Sequence, residues 1–165
     1  MNSHPSACVT AFVAIAAASC SSPDGTTDPG ASPGGSAACP MTAPAFTDDR
    51  IKSALDSLTL PDGVSLVDEQ DFPNIDNHPL IDVVVRLCKV GLVGVPLKDA
   101  ATLVGRRLKE SPVGEEIYSL RVRNAAADAD PHGRVRVDQF QDALLDPAGD
   151  PGAVRDVWKY ADQMY

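Results

Sequence analysis

The chain has 165 residues, of which 44% are hydrophobic, and a formal net charge of −9. This length leaves room for one sizeable hydrophobic core. The 14 Lys and Arg residues begin at Arg50 and are interspersed with acidic residues. Because they form no basic stripe in the sequence, we expect no nucleic-acid partner.

An apolar run occupies residues 7–18, where nearly every residue is small or hydrophobic. A helix of this length spans roughly 18 Å, at about 1.5 Å per residue, which is short of the ~30 Å hydrocarbon core of a bilayer. The run therefore predicts the hydrophobic part of a signal peptide over residues 1–19 and not a transmembrane helix.

The residues Ala17-Ala18-Ser19-Cys20 at the end of this run resemble the lipobox of bacterial lipoproteins. The resemblance implies cleavage before Cys20, a lipid on its sulfur, and anchoring at the outer face of the cytoplasmic membrane. The excess of Arg over Lys and the abundance of Ala, Asp, Gly and Pro suggest a GC-rich, actinobacterial source. Ala17 replaces a larger aliphatic residue and no Lys or Arg precedes the run, so an ordinary signal peptide cleaved near Ala18 is the alternative.

The segment after the cysteine, residues 21–38, contains only Ser, Pro, Asp, Gly, Thr and Ala. Such a composition cannot bury a core, and as a flexible coil it would span ~23 Å. We therefore expect Cys20 and a disordered tether over residues 20–38, followed by a single domain over residues 39–165.

Two cysteines, Cys39 and Cys88, belong to the expected domain. In an extracytoplasmic protein an even remainder of two predicts one disulfide bond. Closing a loop of about fifty residues would stabilise the fold by roughly 4 kcal/mol in the chain-entropy model. Two separately buried thiols are the alternative.

The first half of the domain shows one helical and two strand patterns. Apolar spacing predicts a helix over residues 47–59, with Thr47 as its cap and a break at Pro61-Asp62-Gly63. A short strand is expected over residues 64–66. A longer strand over residues 80–90 carries apolar residues on both faces, so it should be central in its sheet.

The second half adds a strong helix over residues 97–109 and a strand over residues 118–123 whose second face is cationic. A crossover through this helix should make the two long strands parallel. Further helices are expected over residues 137–145 and 151–164, with Trp158 in the core. These elements predict a small α+β two-layer domain with about three strands in a mixed sheet and helices mainly on one face.

The segment 128–139 resembles a degenerate EF-hand or dockerin-type calcium loop. Asp128, Asp130 and Asp138 are the candidate ligands, although His132 and Gln139 stand where such loops place oxygen ligands. A plain turn between two elements explains the same residues. The sequence predicts no other cofactor.

A histidine among carboxylates is the only hint of catalysis. Beside His78, the acidic residues of this stretch could support acid–base chemistry; they are Asp68, Glu69, Asp71, Asp76 and Asp82. A long solvated loop built from turn-forming residues is the simpler interpretation. The sequence contains no established nucleophile or phosphate-binding motif, so we assign no catalytic residue.

The predicted lipid anchor, the tether and the small domain without a catalytic motif together favour a non-enzymatic lipoprotein of the cell envelope. We expect an interaction or binding domain that touches the membrane through its lipid and meets an envelope protein or cell-wall partner. A weak calcium-binding module and a hydrolase-type enzyme using His78 are the alternatives.

Overall fold

A computed structural model describes residues 38–40, 42–146 and 148–161. The predicted signal peptide, Cys20 and residues 20–37 of the tether lie outside these residues, as does the end of the predicted last helix. None of the helices in the described part is long and apolar enough to cross a membrane.

The described residues form an α+β fold with three α-helices and one five-stranded mixed sheet, which confirms the predicted class. The sheet is larger than the three strands expected. The helices are α1 (Asp49–Leu55), α2 (Val95–Lys109) and α3 (Pro151–Val157), and the strands are β1 (Ser65–Pro73), β2 (Ile81–Cys88), β3 (Ile117–Asn124), β4 (Arg134–Val137) and β5 (Lys159–Tyr160).

The strands lie in the order β1-β2-β3-β4-β5. Strands β2 and β3 are parallel, as predicted, and α2 connects them. The other three neighbouring pairs are antiparallel. The sheet therefore consists of one crossover unit widened by a strand before it and two strands after it.

Helices α1 and α3 are shorter than predicted. Helix α1 is capped by Asp48, whose side chain accepts a hydrogen bond from the Arg50 backbone, so the expected Thr47 cap is wrong. Helix α3 is capped by Asp150, whose side chain accepts a hydrogen bond from the backbone N–H of Gly152. It ends at Val157 because the following residues form β5 and pair with β4.

Strand β1 extends through residues that the sequence analysis interpreted as a solvated loop. Its acidic side chains have partners: Asp68 forms an ion pair with Arg86, and Glu69 accepts hydrogen bonds from the backbone N–H and Oγ1 of Thr47. Ala45 forms a parallel bridge with Asp68 on the outer edge of this strand. Neutralised or hydrogen-bonded carboxylates can lie in a sheet, and for that reason the loop interpretation fails for the residues of β1, whereas Asp76 and His78 do lie in the exposed connection to β2.

Strand β4 ends at Val137, where a helix over residues 137–145 was expected to begin. Val135 and Val137 point to the core in strand alternation, and β4 pairs with β3 from Arg134 to Val137. Only a short 3₁₀ turn, Phe140–Asp142, follows. The helical pattern was wrong because the apolar residues of a strand and of the next turn were counted as one stripe.

The core lies between one face of the sheet and the helices. All three helices contribute to a single apolar cluster, and Trp158 is buried there as predicted. Its Nε1 donates to Thr102 Oγ1 of α2 at 2.9 Å. The buried strand residues facing this cluster include Val83, Val85, Leu87, Leu120, Val122, Val135 and Val137.

The predicted disulfide is present between Cys39 and Cys88, with Cα atoms 5.5 Å apart. Strand alternation puts Cys88 on the same side of β2 as Val84 and Arg86, opposite the helical core. The bond therefore attaches the start of the domain to the second face of the sheet.

Candidate functional site

The second face of the sheet carries five arginines, which we call the arginine face: Arg86, Arg121, Arg123, Arg134 and Arg136. Each alternates along its strand with an inward-facing apolar residue such as Val85, Val122 or Val135. The period of two that builds the core on one side thus builds a cationic surface on the other.

Strand register places these arginines next to one another. Arg121 is opposite Arg136, and Arg123 is opposite Arg134, in the antiparallel pair β3–β4. Arg86 of β2 is in register with Arg123. Side chains directly opposite start about 5 Å apart and those two residues along a strand about 7 Å apart, so the guanidinium groups form a compact array.

Three of the five arginines have acceptors within the domain. Arg86 forms an ion pair with Asp68, and Arg134 donates a hydrogen bond to the backbone carbonyl of Asp128. Arg136 forms an ion pair with Asp138, with its Nη2 atom 2.5 Å from Asp138 Oδ1. The guanidinium groups of Arg121 and Arg123 make no hydrogen bond or ion pair with any described residue. These two are the free donors of the face.

The arginines are held down on the sheet and are not fully solvated. The Nε atoms of the β3 and β4 arginines are buried and have no hydrogen-bond partner in the described structure. Burial lowers the pKa of Arg121, and the neighbouring charges of Arg136 and Arg123 lower it further. Burial likewise lowers the pKa of Arg123. Each group remains a cation. A bound anion would offset both the desolvation of its charge and the repulsion by the neighbouring arginines.

The arginine face shows that the basic residues do form a stripe in the folded domain, contrary to the expectation from their dispersal in the sequence. They are dispersed in sequence, yet the sheet gathers them from β2, β3 and β4. A signal was present in the repeated Arg-Val-Arg of residues 121–123 and 134–136, which marks two strands with the same cationic side. The dispersal of charge in the sequence is consequently no argument against an anionic partner.

One end of the arginine face opens into a polar pocket with a volume of about 620 Å³. Arg121 and Arg136 line it from the sheet. Its rim is lined by Gln139 and by residues 73–77, which are the last residue of β1 and the start of the connection to β2. The remaining lining residues are Tyr118, Asp82 and Asp138. A cleft of this size is in the range of about 300–1,000 Å³ found for small-ligand sites.

Two of the three carboxylates of the pocket are already oriented by hydrogen bonds or an ion pair. Asp82 accepts hydrogen bonds from Ser119 Oγ at 2.5 Å and from Asn74 Nδ2 at 2.9 Å. Asp138 is paired with Arg136. Arg121 lies close enough to both for their charges to raise its pKa, against the larger effect of burial. The pocket thus combines fixed acceptors with a guanidinium that has no partner of its own.

The candidate calcium ligands are not gathered into one loop. Asp130 precedes β4 and caps a 3₁₀ turn through the backbone of His132, whereas Asp138 follows β4. Four residues of extended strand span roughly 13 Å, much more than the 2.3–2.6 Å from calcium to its ligands. In the part of the chain described, no three Asp, Glu, His or Cys side chains form a group able to hold a metal ion.

Gly133 has a local packing role in this segment. A Cβ at this position would lie 2.3 Å from the carbonyl oxygen of Ala127. Close backbone approach, and not a position in a calcium loop, accounts for the glycine.

His78 is exposed and follows β1 in the connection to β2, with a cis peptide bond to Pro79. No hydrogen bond or ion pair joins its side chain to another described residue. The nearby carboxylates are directed elsewhere, with Asp71 bonded to Thr47 and Asp82 bonded to Ser119. The structure does not assemble His78 and these carboxylates into one group.

Comparison with protein-family models, with curated proteins and with solved structures finds no match to this chain.

Proposed function

We propose that this chain is an envelope lipoprotein, anchored through Cys20 at the outer face of the cytoplasmic membrane, whose domain binds an anionic partner through the arginine face. The observation that carries the binding proposal is the opposition of Arg121 to Arg136 and of Arg123 to Arg134. Like charges directly opposite in a sheet are destabilising, so this arrangement is better explained by a ligand than by stability.

The surrounding charge supports the same proposal. The whole chain has a net charge of −9, and its described residues place five arginines on one sheet face. An acidic molecule with one cationic face binds an anionic surface in a defined orientation, because its other surfaces are repelled. No step of this function requires catalysis, and the domain acts as a binding module.

Anchoring is tested by metabolic labelling with a palmitate analogue. We expect label on the wild-type protein and none on Cys20→Ala. Equal labelling of both would overturn the anchor, and secretion of unlabelled wild-type protein would support the ordinary signal peptide.

Binding is tested by co-sedimentation of the soluble domain, residues 39–165, with washed envelope fragments from the source cells. Arg121→Gln/Arg123→Gln should lower the affinity about tenfold or more, because each lost charge-assisted hydrogen bond contributes roughly 1.5 kcal/mol or more. The matched control is Arg106→Gln/Lys52→Gln, which removes the same charge away from the sheet. Equal loss in both variants, or no binding by the wild type, would contradict the proposed function.

A further inference from the structure

The polar pocket and the arginine face are continuous, since Arg121 and Arg136 belong to both. A ligand seated in the pocket would therefore extend over Arg123 and Arg134 without leaving the sheet. The occupant must satisfy the chemistry of both parts at once.

The carboxylates of the pocket favour a ligand that carries hydrogen-bond donors. Asp82 and Asp138 present carboxylate oxygens, and Asp76 adds a third carboxylate at the rim. A ligand that is only anionic would meet these three negative groups unfavourably. A ligand with hydroxyl groups can donate to them and also accept from Asn77 and Gln139.

The arginine face favours a ligand that carries negative charge. Arg121 and Arg123 have guanidinium groups with no hydrogen-bond acceptor among the described residues. Guanidinium groups match planar carboxylates and phosphates through paired hydrogen bonds. The spacing of Arg121 and Arg123, about 7 Å along β3, suits anionic groups repeated along a chain.

We infer that the ligand of this face is an acidic saccharide, a polyhydroxylated chain with carboxylate or phosphate groups, whose one end occupies the polar pocket while its anionic groups lie on Arg121 and Arg123. This inference rests on the proposed function and specifies its partner. Tyr118, which lines the pocket, adds an aromatic ring against which the C–H groups of a sugar can pack.

Two other anionic partners fit the face less well. An acidic peptide brings charge, but its acidic side chains provide no donors for Asp82 and Asp138, and its donors are limited to one backbone N–H per residue. A phospholipid surface requires cations that protrude into the headgroups, whereas the Nε atoms of these arginines are buried and the pocket rim carries Asp76 and Asp138. The saccharide is the partner class that uses the carboxylates as well as the arginines.

Calorimetric titration of the domain, residues 39–165, distinguishes these partners with three probes of four units each. They are tetragalacturonic acid, a terminally capped tetraglutamate peptide with the same number of carboxylates, and the neutral maltotetraose. We expect tetragalacturonic acid to bind about tenfold or more tighter than either of the others, because it alone satisfies both parts of the site.

Two variants sharpen the test. Arg121→Gln should weaken tetragalacturonic acid about tenfold, and its control Arg106→Gln should not change the affinity. Asp138→Ala removes an acceptor from the pocket and a negative charge from the face. It should lower the preference for tetragalacturonic acid over tetraglutamate several-fold, because charge alone would favour both anions equally.

Equal affinity for the two anions, or an unchanged preference in Asp138→Ala, would overturn the saccharide inference and leave the proposed anion binding intact. The same holds if phosphatidylglycerol vesicles bind as tightly as tetragalacturonic acid and this binding is lost in Arg121→Gln. Failure of the wild-type domain to sediment with envelope fragments would overturn the proposed function itself.

Discussion

The two faces of the sheet are made from the same strands, but one is apolar and closely packed and the other carries like charges opposite one another. On the helical face Val83, Val85, Leu120 and Val122 are almost completely inaccessible to solvent and pack into one apolar cluster. On the other face the alternate positions hold arginines opposite arginines. The first arrangement lowers the free energy of the folded state, and the second raises it.

This difference separates the residues that stabilise the fold from the residues that we propose bind the partner. Substitutions on the helical face should cost stability and leave the chemistry of binding unaltered. Substitutions of Arg121 and Arg123, which have no partner among the described residues, should cost binding and leave stability unchanged or improved, as is common at functional sites.

The largest loss of stability should follow removal of the disulfide that ties the chain start to the arginine side of β2. Cys39→Ala/Cys88→Ala should lower the free energy of unfolding by about 4 kcal/mol, because the bond closes a loop across a sequence separation of 49 residues. Urea unfolding measures this, and reduced wild-type protein is the control. If oxidised and reduced protein unfold at the same urea concentration, the bond does not stabilise the domain.

Truncation on the helical face should have the next largest effect. Leu120→Ala deletes a fully buried side chain and should lower the free energy of unfolding by about 3 kcal/mol. Its sequence neighbour provides the comparison, since Arg121→Gln lies on the other face of the same strand. Similar losses in the two variants would break the distinction between the faces.

Relief of charge repulsion should give a smaller effect of opposite sign. Arg121→Gln should raise the free energy of unfolding by roughly 0.5 kcal/mol at low salt, because it removes the like-charge contact with Arg136. The gain should shrink as salt screens the charges. Thermal unfolding at two salt concentrations checks this, and a loss of stability at low salt would show that the arginine stabilises the sheet.

The smallest effect should come from Glu69, a buried carboxylate on the helical side of β1. Its Oε1 has no hydrogen-bond partner within the described residues, and burial raises the pKa of this carboxyl. The folded protein therefore holds the proton more tightly than the unfolded chain, and stability falls as pH rises from the unfolded pKa, about 4.3, to the higher folded pKa.

Glu69→Gln removes this pH dependence and keeps an oxygen acceptor for Thr47. The stability of the variant relative to wild type should accordingly be greater at about pH 7 than at about pH 4. Chemical unfolding at the two pH values measures the difference. The opposite trend would mean that the ionised carboxylate is the form that the fold favours.

The elements with strong periodicity could be predicted from the sequence. Strand β2, helix α2, strand β3 and the parallel pairing followed from patterns that one face of each element imposes. The Cys39–Cys88 bond followed from counting, because two cysteines were left for the domain. In these places local pattern and tertiary contact agree.

The missed elements depend on contacts that no local pattern contains. Strand β1 includes Asp68 and Glu69, which a strand tolerates only because Arg86 and Thr47 lie beside them. Strand β4 has four residues, too few for alternation to be separated from a helical stripe. The arginine face was missed because register, and not sequence distance, brings Arg123 and Arg134 together.

The disulfide also determines how the domain responds to a pull. If the chain ahead of Cys39 is held by its lipid, tension along the tether enters the folded domain through the Cys39–Cys88 bond and passes directly into β2, the second strand of the sheet. The 48 residues between the two cysteines, which include α1, β1 and β2 up to Leu87, form a covalently closed loop, so the pull cannot peel α1 and β1 away before it reaches Cys88 at the end of β2. A partner bound on the arginine face would therefore be held through a covalent cross-link on the same side of the sheet, and not through the non-covalent contacts of the residues in this loop.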